Sequence, residues 1–160
     1  MDEADQKRLV ALSRPCQLVV VVADGLSASA VDARAAELVL LLRRELAGLS
    51  WGPLVLVEQG RVAIGDEIAE SLGAESVVVI IGERPGLSVA DSLGIYLTHR
   101  PRLGTSDAER NCISNVHAAG ASVAAAAAEL AALLLEARRL GTSGVDLKLE
   151  QGAERLGSQR

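Results

Sequence analysis

The sequence predicts an α/β fold: a single open, doubly wound, mostly parallel (Rossmann-like) sheet with helices on both faces. Three observations carry that expectation. The strand candidates "QLVVVVA" (17–23) and "VVVIIG" (77–82) are continuous apolar runs rather than alternating ones, as strands covered on both faces must be. Segments with helical apolar spacing lie between the strands, so strand and helix alternate along the chain. Finally, 160 residues, 49% of them hydrophobic and 23% charged, are enough for one core and too few for two.

Residues 3–13 have the pattern of a short amphipathic helix that ends before Pro15. The first strand (17–23) runs into Asp24-Gly25-Leu26-Ser27. Over 28–47, Val31, Ala35, Leu38, Leu41, Leu42 and Leu46 fall on one helical face, and Ser29 with Asp32 resembles a capping box. "PLVLVE" (53–58) is a second strand, followed by a helix over 65–72. The third strand (77–82) ends in "GERPG", and "LGIYLTH" (93–99) is a fourth. "RPRLGTSDAERNCISN" reads as a long loop before an Ala/Leu-rich helix over 121–139. Beyond Gly141 the chain turns polar and is expected to fray, giving one domain over 1–148 and a polar tail over 149–160.

Composition excludes several classes of function. Trp51 and Tyr96 are the only aromatic rings and there is no Phe, so the core must be Val, Ile, Leu and Ala, and stacking platforms for single-stranded nucleic acid are lacking. The net charge of −5, with no basic cluster, also argues against a nucleic-acid partner. Cys16 and Cys112 match no metal-ligand spacing and fit a reduced compartment. The charged first residues leave no room for a secretory leader. No apolar run approaches the roughly 20 residues that cross a bilayer; the richest, "VAAAAAELAALLL" (123–135), is interrupted by Glu129. No membrane partner is expected.

In sheets of this class ligands gather beyond the carboxyl ends of the strands. Four polar loops are expected there: Asp24–Ser27, Glu58–Val62, Gly82–Gly86 and Arg110–Asn115. They are rich in glycine and hydrogen-bonding groups but poor in catalytic pairs, which suits recognition of a large polar ligand. Gly82 permits a close backbone approach, while Pro85 and Gly86 set a turn that aims Glu83. Glu83 accepts hydrogen bonds and Arg84 clamps anions; the competing reading is a solvated surface ion pair worth little. Asp24 is either a ligand group or the start of an Asx turn. Cys112 reads as a buried or ligand-contacting thiol ahead of a nucleophile, since no His neighbours it in sequence. His99 reads as a packed or surface histidine, Trp51 as a lid on the core, and Glu129 and Glu136 as solvent-facing. Neither a dinucleotide fingerprint nor a P-loop is present.

These loops carry a resemblance. "VVADGLSASAV", "VEQGRVAIGDEIAESLGA", "VVVIIGERPGLSVADSLGIYLTHRPR" and "DAERNCISNVHAAG", in that order, make the chain similar to the small (light) subunits of ethanolamine ammonia-lyase over residues 3–148. The resemblance is to the C-terminal, cobalamin-binding part of that subunit, with a shortened N-terminal region. It implies the non-catalytic subunit of an adenosylcobalamin-dependent ammonia lyase that converts ethanolamine to acetaldehyde and ammonia. It also implies a hetero-oligomer with a large (heavy) TIM-barrel subunit, and a corrinoid bound base-on between the two. Location in a bacterial microcompartment or the cytoplasm follows from the same likeness. The family's cobalamin-contact positions fall on Val62, Glu83 and Cys112, with no catalytic residue and no metal ligand in this chain.

"NVHAAG" (115–120) approaches the Asp-x-His-x-x-Gly pattern of a histidine that ligates cobalt, but Asn115 replaces the aspartate that would orient the ring. The base-on mode also speaks against His117. Two other readings compete with the subunit: a stand-alone α/β module for a corrinoid or nucleotide, and an enzyme with Cys112 or Asp24 catalytic in this chain alone.

Overall fold

The computed structural model describes residues 1–84 and 91–147. In chain order its elements are α1 (Glu3–Leu12), β1 (Leu18–Ala23), α2 (Ala28–Glu45), β2 (Trp51–Val57), α3 (Ile64–Leu72), β3 (Ser76–Gly82), β4 (Leu93–His99), β5 (Asn111–Val116) and α4 (Val123–Leu140). The two continuous apolar runs, β1 and β3, are buried along their whole length and pair in parallel near the middle of the sheet. The strand order is β2-β1-β3-β4-β5.

Helices cover both faces. On one, α2 and α4 bring Leu38, Leu42, Leu130 and Leu134 against Val20, Val22, Val78, Ile80 and Ile95. On the other, α1 and α3 bring Leu9, Ile68 and Leu72 against Val19, Val21, Val77, Val79 and Ile81. Gly65 lets α3 lie directly on β3, since a Cβ there would meet Val79 Cγ2 at 2.5 Å. At the sheet edge, β2 leaves Leu54 and Leu56 exposed.

The sheet departs from the mostly parallel arrangement in its second half. β1 pairs in parallel with β2 and β3, but β4 runs antiparallel to β3 and β5 antiparallel to β4, so the sheet is mixed. Residues 83–92 link β3 to β4; that is shorter than the dozen or so residues a parallel crossover needs, so the chain must fold back. β5 replaces the last part of the expected long loop. It escapes a pattern search because two successive polar residues, Ser114 and Asn115, interrupt its alternation.

Two smaller expectations change. The N-cap of α2 is Ser27, whose side chain accepts from the Ala30 N–H, rather than Ser29. The chain beyond Gly141 is packed as far as Leu147, which is fully buried. Asn111 exchanges two hydrogen bonds with the Gly144 backbone, 3.0 and 2.7 Å, and Ser143 bridges His99 N–H and Glu109 O. The tail over 149–160 lies outside the described residues. No described helix is long and apolar enough to cross a membrane.

Candidate functional site

The carboxyl ends of β1, β2 and β3 come together, and their loops are knitted to each other. A Cβ on Gly82 would lie 2.1 Å from Ser27 O. The close approach expected at Gly82 is therefore made by the β1–α2 loop, whose Leu26 N–H donates to Gly82 O at 2.9 Å. Asp24 Oδ1 accepts from Gly60 N–H at 3.2 Å. The Gln59 N–H foremost, then those of Gly60 and Gly25, hold the Asp24 carboxyl below its ordinary range. Of its two readings, Asp24 is thus a backbone brace, and it fixes the loop that carries Val62. Gln59 takes a left-handed backbone (φ 53) to make that turn. Val62 is half-buried against the second core cluster, on the α1/α3 face.

Glu83 continues β3 onto the same face. Ser92 Oγ, itself buried, donates to Glu83 Oε2 at 2.5 Å, and the Asn115 N–H donates to the same oxygen at 3.3 Å. A bulge delivers that second donor. Ile95 pairs with Ile113 and Leu93 with Val116, so Ser114 and Asn115 both stand opposite Gly94. Asn115 takes a left-handed backbone there (φ 59). Gly94 makes room for the carboxylate: a Cβ on it would meet Glu83 Oε1 at 3.1 Å and Tyr96 Cε2 at 3.2 Å. Pro85 and Gly86, expected to set the turn that aims Glu83, lie outside the described residues; Arg84 is exposed.

Cys112 sits inside β5, paired with Tyr96 of β4, which in turn pairs with Val79 of β3. All three side chains therefore point to the α1/α3 face. Here the sheet is open: Tyr96 and Cys112 are half-buried and Ser114 is exposed. The Tyr96 phenol and the Cys112 thiol are cross-strand neighbours on this face. Burial foremost, with Cys112, Glu83 and Asp107 nearby, pushes the phenol up to about 12, so it keeps its proton and acts as a donor.

The fourth expected loop is not a rim loop. Only Ser114 and Asn115 reach the edge that holds Glu83, while Arg110 lies buried toward the other end of the sheet. Its guanidinium grips the Asp66 carboxylate of α3 through two bonds of 2.9 and 2.6 Å, and also donates to Thr98 Oγ1 and Thr105 O. Both side chains are 3% exposed. Fork-on-carboxylate pairing satisfies a charge that would be costly to bury alone.

His99 lies at the far end of β4, with Nδ1 2.8 Å from Ser76 Oγ, a packed histidine remote from Glu83. His117 Nδ1 accepts from the Ala119 N–H at 3.3 Å, inside its own turn. Trp51 packs on the first cluster, donates to Leu46 O and carries Arg43 over its ring at 4.6 Å. Glu129 is exposed, whereas Glu136 is half-buried and paired with Arg139. Among the described residues no group of three or more His, Cys, Asp or Glu is placed to hold a metal ion.

Glu83 and Cys112 thus lie on the α1/α3 face of the sheet, and Val62, in the loop braced by Asp24, packs on the same side. Ser92, Gly94 and Tyr96, which the sequence reading passed over as site residues, complete the surface between Glu83 and Cys112. A signal did exist for Gly94 and Tyr96: in an antiparallel β4 they alternate on one face, a glycine and the chain's one tyrosine.

The family model for the ethanolamine ammonia-lyase light chain (EutC) matches residues 1–148. An ethanolamine ammonia-lyase small subunit of Azotobacter vinelandii is 56% identical over 141 residues, covering 87% of this chain and 52% of the relative. One of Pseudomonas fluorescens is 53% identical over 144 residues (89% and 53%), and one of Ralstonia nicotianae 54% over 133 residues (82% and 49%). The chain spans about half the length of these curated relatives. It belongs to the ethanolamine ammonia-lyase light-chain family.

Proposed function

We propose that this chain is the cofactor-binding small subunit of an adenosylcobalamin-dependent ethanolamine ammonia-lyase, which converts ethanolamine to acetaldehyde and ammonia. The corrinoid would lie base-on between this chain and a large TIM-barrel subunit, in the cytoplasm or a microcompartment. The observation that supports this reading is that Glu83 and Cys112 lie on the α1/α3 face of the sheet, with Val62 packed against the core on that same side. They come from three separate elements, and they are the positions the family resemblance implies as cobalamin contacts.

The residues present suit such a ligand. A corrinoid is a broad disc with an apolar ring and a polar fringe, and its carboxamides and hydroxyls need partners. Gly94 leaves a shallow floor that a Cβ would fill. Val62 would offer apolar contact from the same side of the sheet, and Glu83 an acceptor already oriented by Ser92 and Asn115. Cys112 and Tyr96 line the far side. When bound, the cofactor supplies the radical chemistry. This chain's part is to bind and orient: the Asp24 brace holds the Val62 loop, the bulge at Ser114–Asn115 fixes Glu83, and the open face excludes water once covered by the partner. Catalytic groups for the substrate fall to the large subunit.

The test is Glu83→Ala in the complex with the large subunit. Losing a charge-assisted hydrogen bond should weaken cobalamin binding about ten- to a hundredfold, with circular dichroism unchanged. Unaltered affinity would remove Glu83 from the site. If the unmodified pair neither binds cobalamin nor forms aldehyde from ethanolamine, the proposed function falls.

A further inference from the structure

We propose that Glu83 and Tyr96 form a two-point site for a primary carboxamide on the ligand's edge, and that this site rejects the corresponding carboxylate. The assignment rests on the corrinoid reading above and names which fringe group is held. Three features of the geometry lead to it. Glu83 Oε2 is occupied by Ser92 Oγ and the Asn115 N–H, which orient the carboxylate. Its second oxygen, Oε1, lies over Gly94, and the Tyr96 ring edge lies over the same glycine. An acceptor and an aromatic hydroxyl are thus carried side by side by two neighbouring strands, on a floor that has no side chain of its own.

A primary carboxamide presents a donor N–H and an acceptor C=O in one plane. Glu83 Oε1 accepts from the first and the Tyr96 hydroxyl donates to the second. The phenol is well suited to donate, because burial disfavours its ionised form. A single hydroxyl, as on a ribose, would have to meet both groups through one oxygen, donating to Glu83 Oε1 while accepting from Tyr96, whereas the carboxamide meets them with two separate atoms. A carboxylate in the same place would face Glu83 with like charge and no N–H to offer, and unpaired polar groups in a closed site discriminate strongly.

The experiment measures binding of cyanocobalamin, and of its monocarboxylate derivatives with one peripheral carboxamide hydrolysed, to the complex of this chain with the large subunit. Absorbance reports binding, with no turnover required. One monocarboxylate isomer should bind at least about tenfold more weakly than the parent, the others like the parent. Glu83→Gln should close that gap, because an amide side chain no longer repels the acid. Tyr96→Phe should weaken the parent about two- to tenfold, the range of one neutral hydrogen bond, and leave the fold intact. Equal binding of all isomers, or a gap that survives Glu83→Gln, overturns the two-point site while leaving the corrinoid reading in place. Failure of the unmodified complex to bind cyanocobalamin overturns that reading and this site with it.

Discussion

At the scale of single residues, two glycines on adjacent strands do different work. Gly82 is closed in by backbone: the nearest atoms to its missing Cβ are Ser27 O and Asp24 O, at 2.1 and 2.5 Å. Backbone cannot step aside, so Gly82→Ala should destabilise the fold by about 1–3 kcal/mol. Around Gly94 the nearest atoms belong to the Glu83 and Tyr96 side chains, at 3.1–3.3 Å, and those can give by a few tenths of an ångström. Gly94→Ala should therefore change stability by less than about 1 kcal/mol while displacing the Glu83 carboxylate and weakening the proposed cobalamin binding. Denaturant unfolding followed by the fluorescence of Trp51, together with a binding titration, separates the two. A Gly94→Ala protein that unfolds early but binds normally would reverse this assignment.

At the scale of elements, the Asp66–Arg110 pair ties α3 to the start of β5. Val62 lies just before α3 and Cys112 just after Arg110, so this buried contact sets the distance between two of the expected ligand positions. Arg110→Ala leaves Asp66 charged and unpartnered in the interior and should cost about 3–5 kcal/mol. Replacing both partners with apolar residues, Asp66→Leu with Arg110→Met, should cost far less, because no charge is then stranded. A double variant as unstable as the single one would show that the bonds to Thr98 and Thr105, rather than the charge pairing, hold the element in place.

At the scale of the whole molecule, opposing shifts define a pH window. Burial first, then the Arg100 and Arg138 charges, holds His99 below its ordinary 6.5. The unfolded chain then binds more protons as pH falls below that value, and stability is lost. The carboxyls of Asp24 and Glu109, held down by backbone N–H groups, and of Glu136, held down by Arg139, act the same way in more acidic solution. At the other end, burial raises the Cys16 thiol above 9.0 and Tyr96 from 10.0 to about 12. Stability is full below those ordinary values and falls as pH rises through them. Thermal stability should thus be greatest between about 6.5 and 9, and His99→Gln should flatten the acid shoulder of that plateau. An acid shoulder unchanged in that variant would remove His99 as its source.

Much of the fold is legible in the chain itself. β1, β3, β4 and the four helices follow from runs and spacings among near neighbours, because helical and strand periodicity depend on residues a few positions apart. Val62, Glu83 and Cys112 enter as expected contacts only through motifs shared with a family, not through local pattern. The direction of β4 was within reach from the short link before it. β5, by contrast, is half polar and bulged, and its strand character comes from pairing with β4. The packing of the chain beyond Gly141 rests on Asn111 and Ser143, whose partners are distant in sequence. The site's finer structure belongs to the same kind of information: the seat of Glu83 on Gly94, its two donors, and the Tyr96–Cys112 contact all depend on the register between strands. Local pattern decides which elements form and which face of each is apolar. Register decides which polar atoms meet, because it is set only when every strand packs against its neighbours at once.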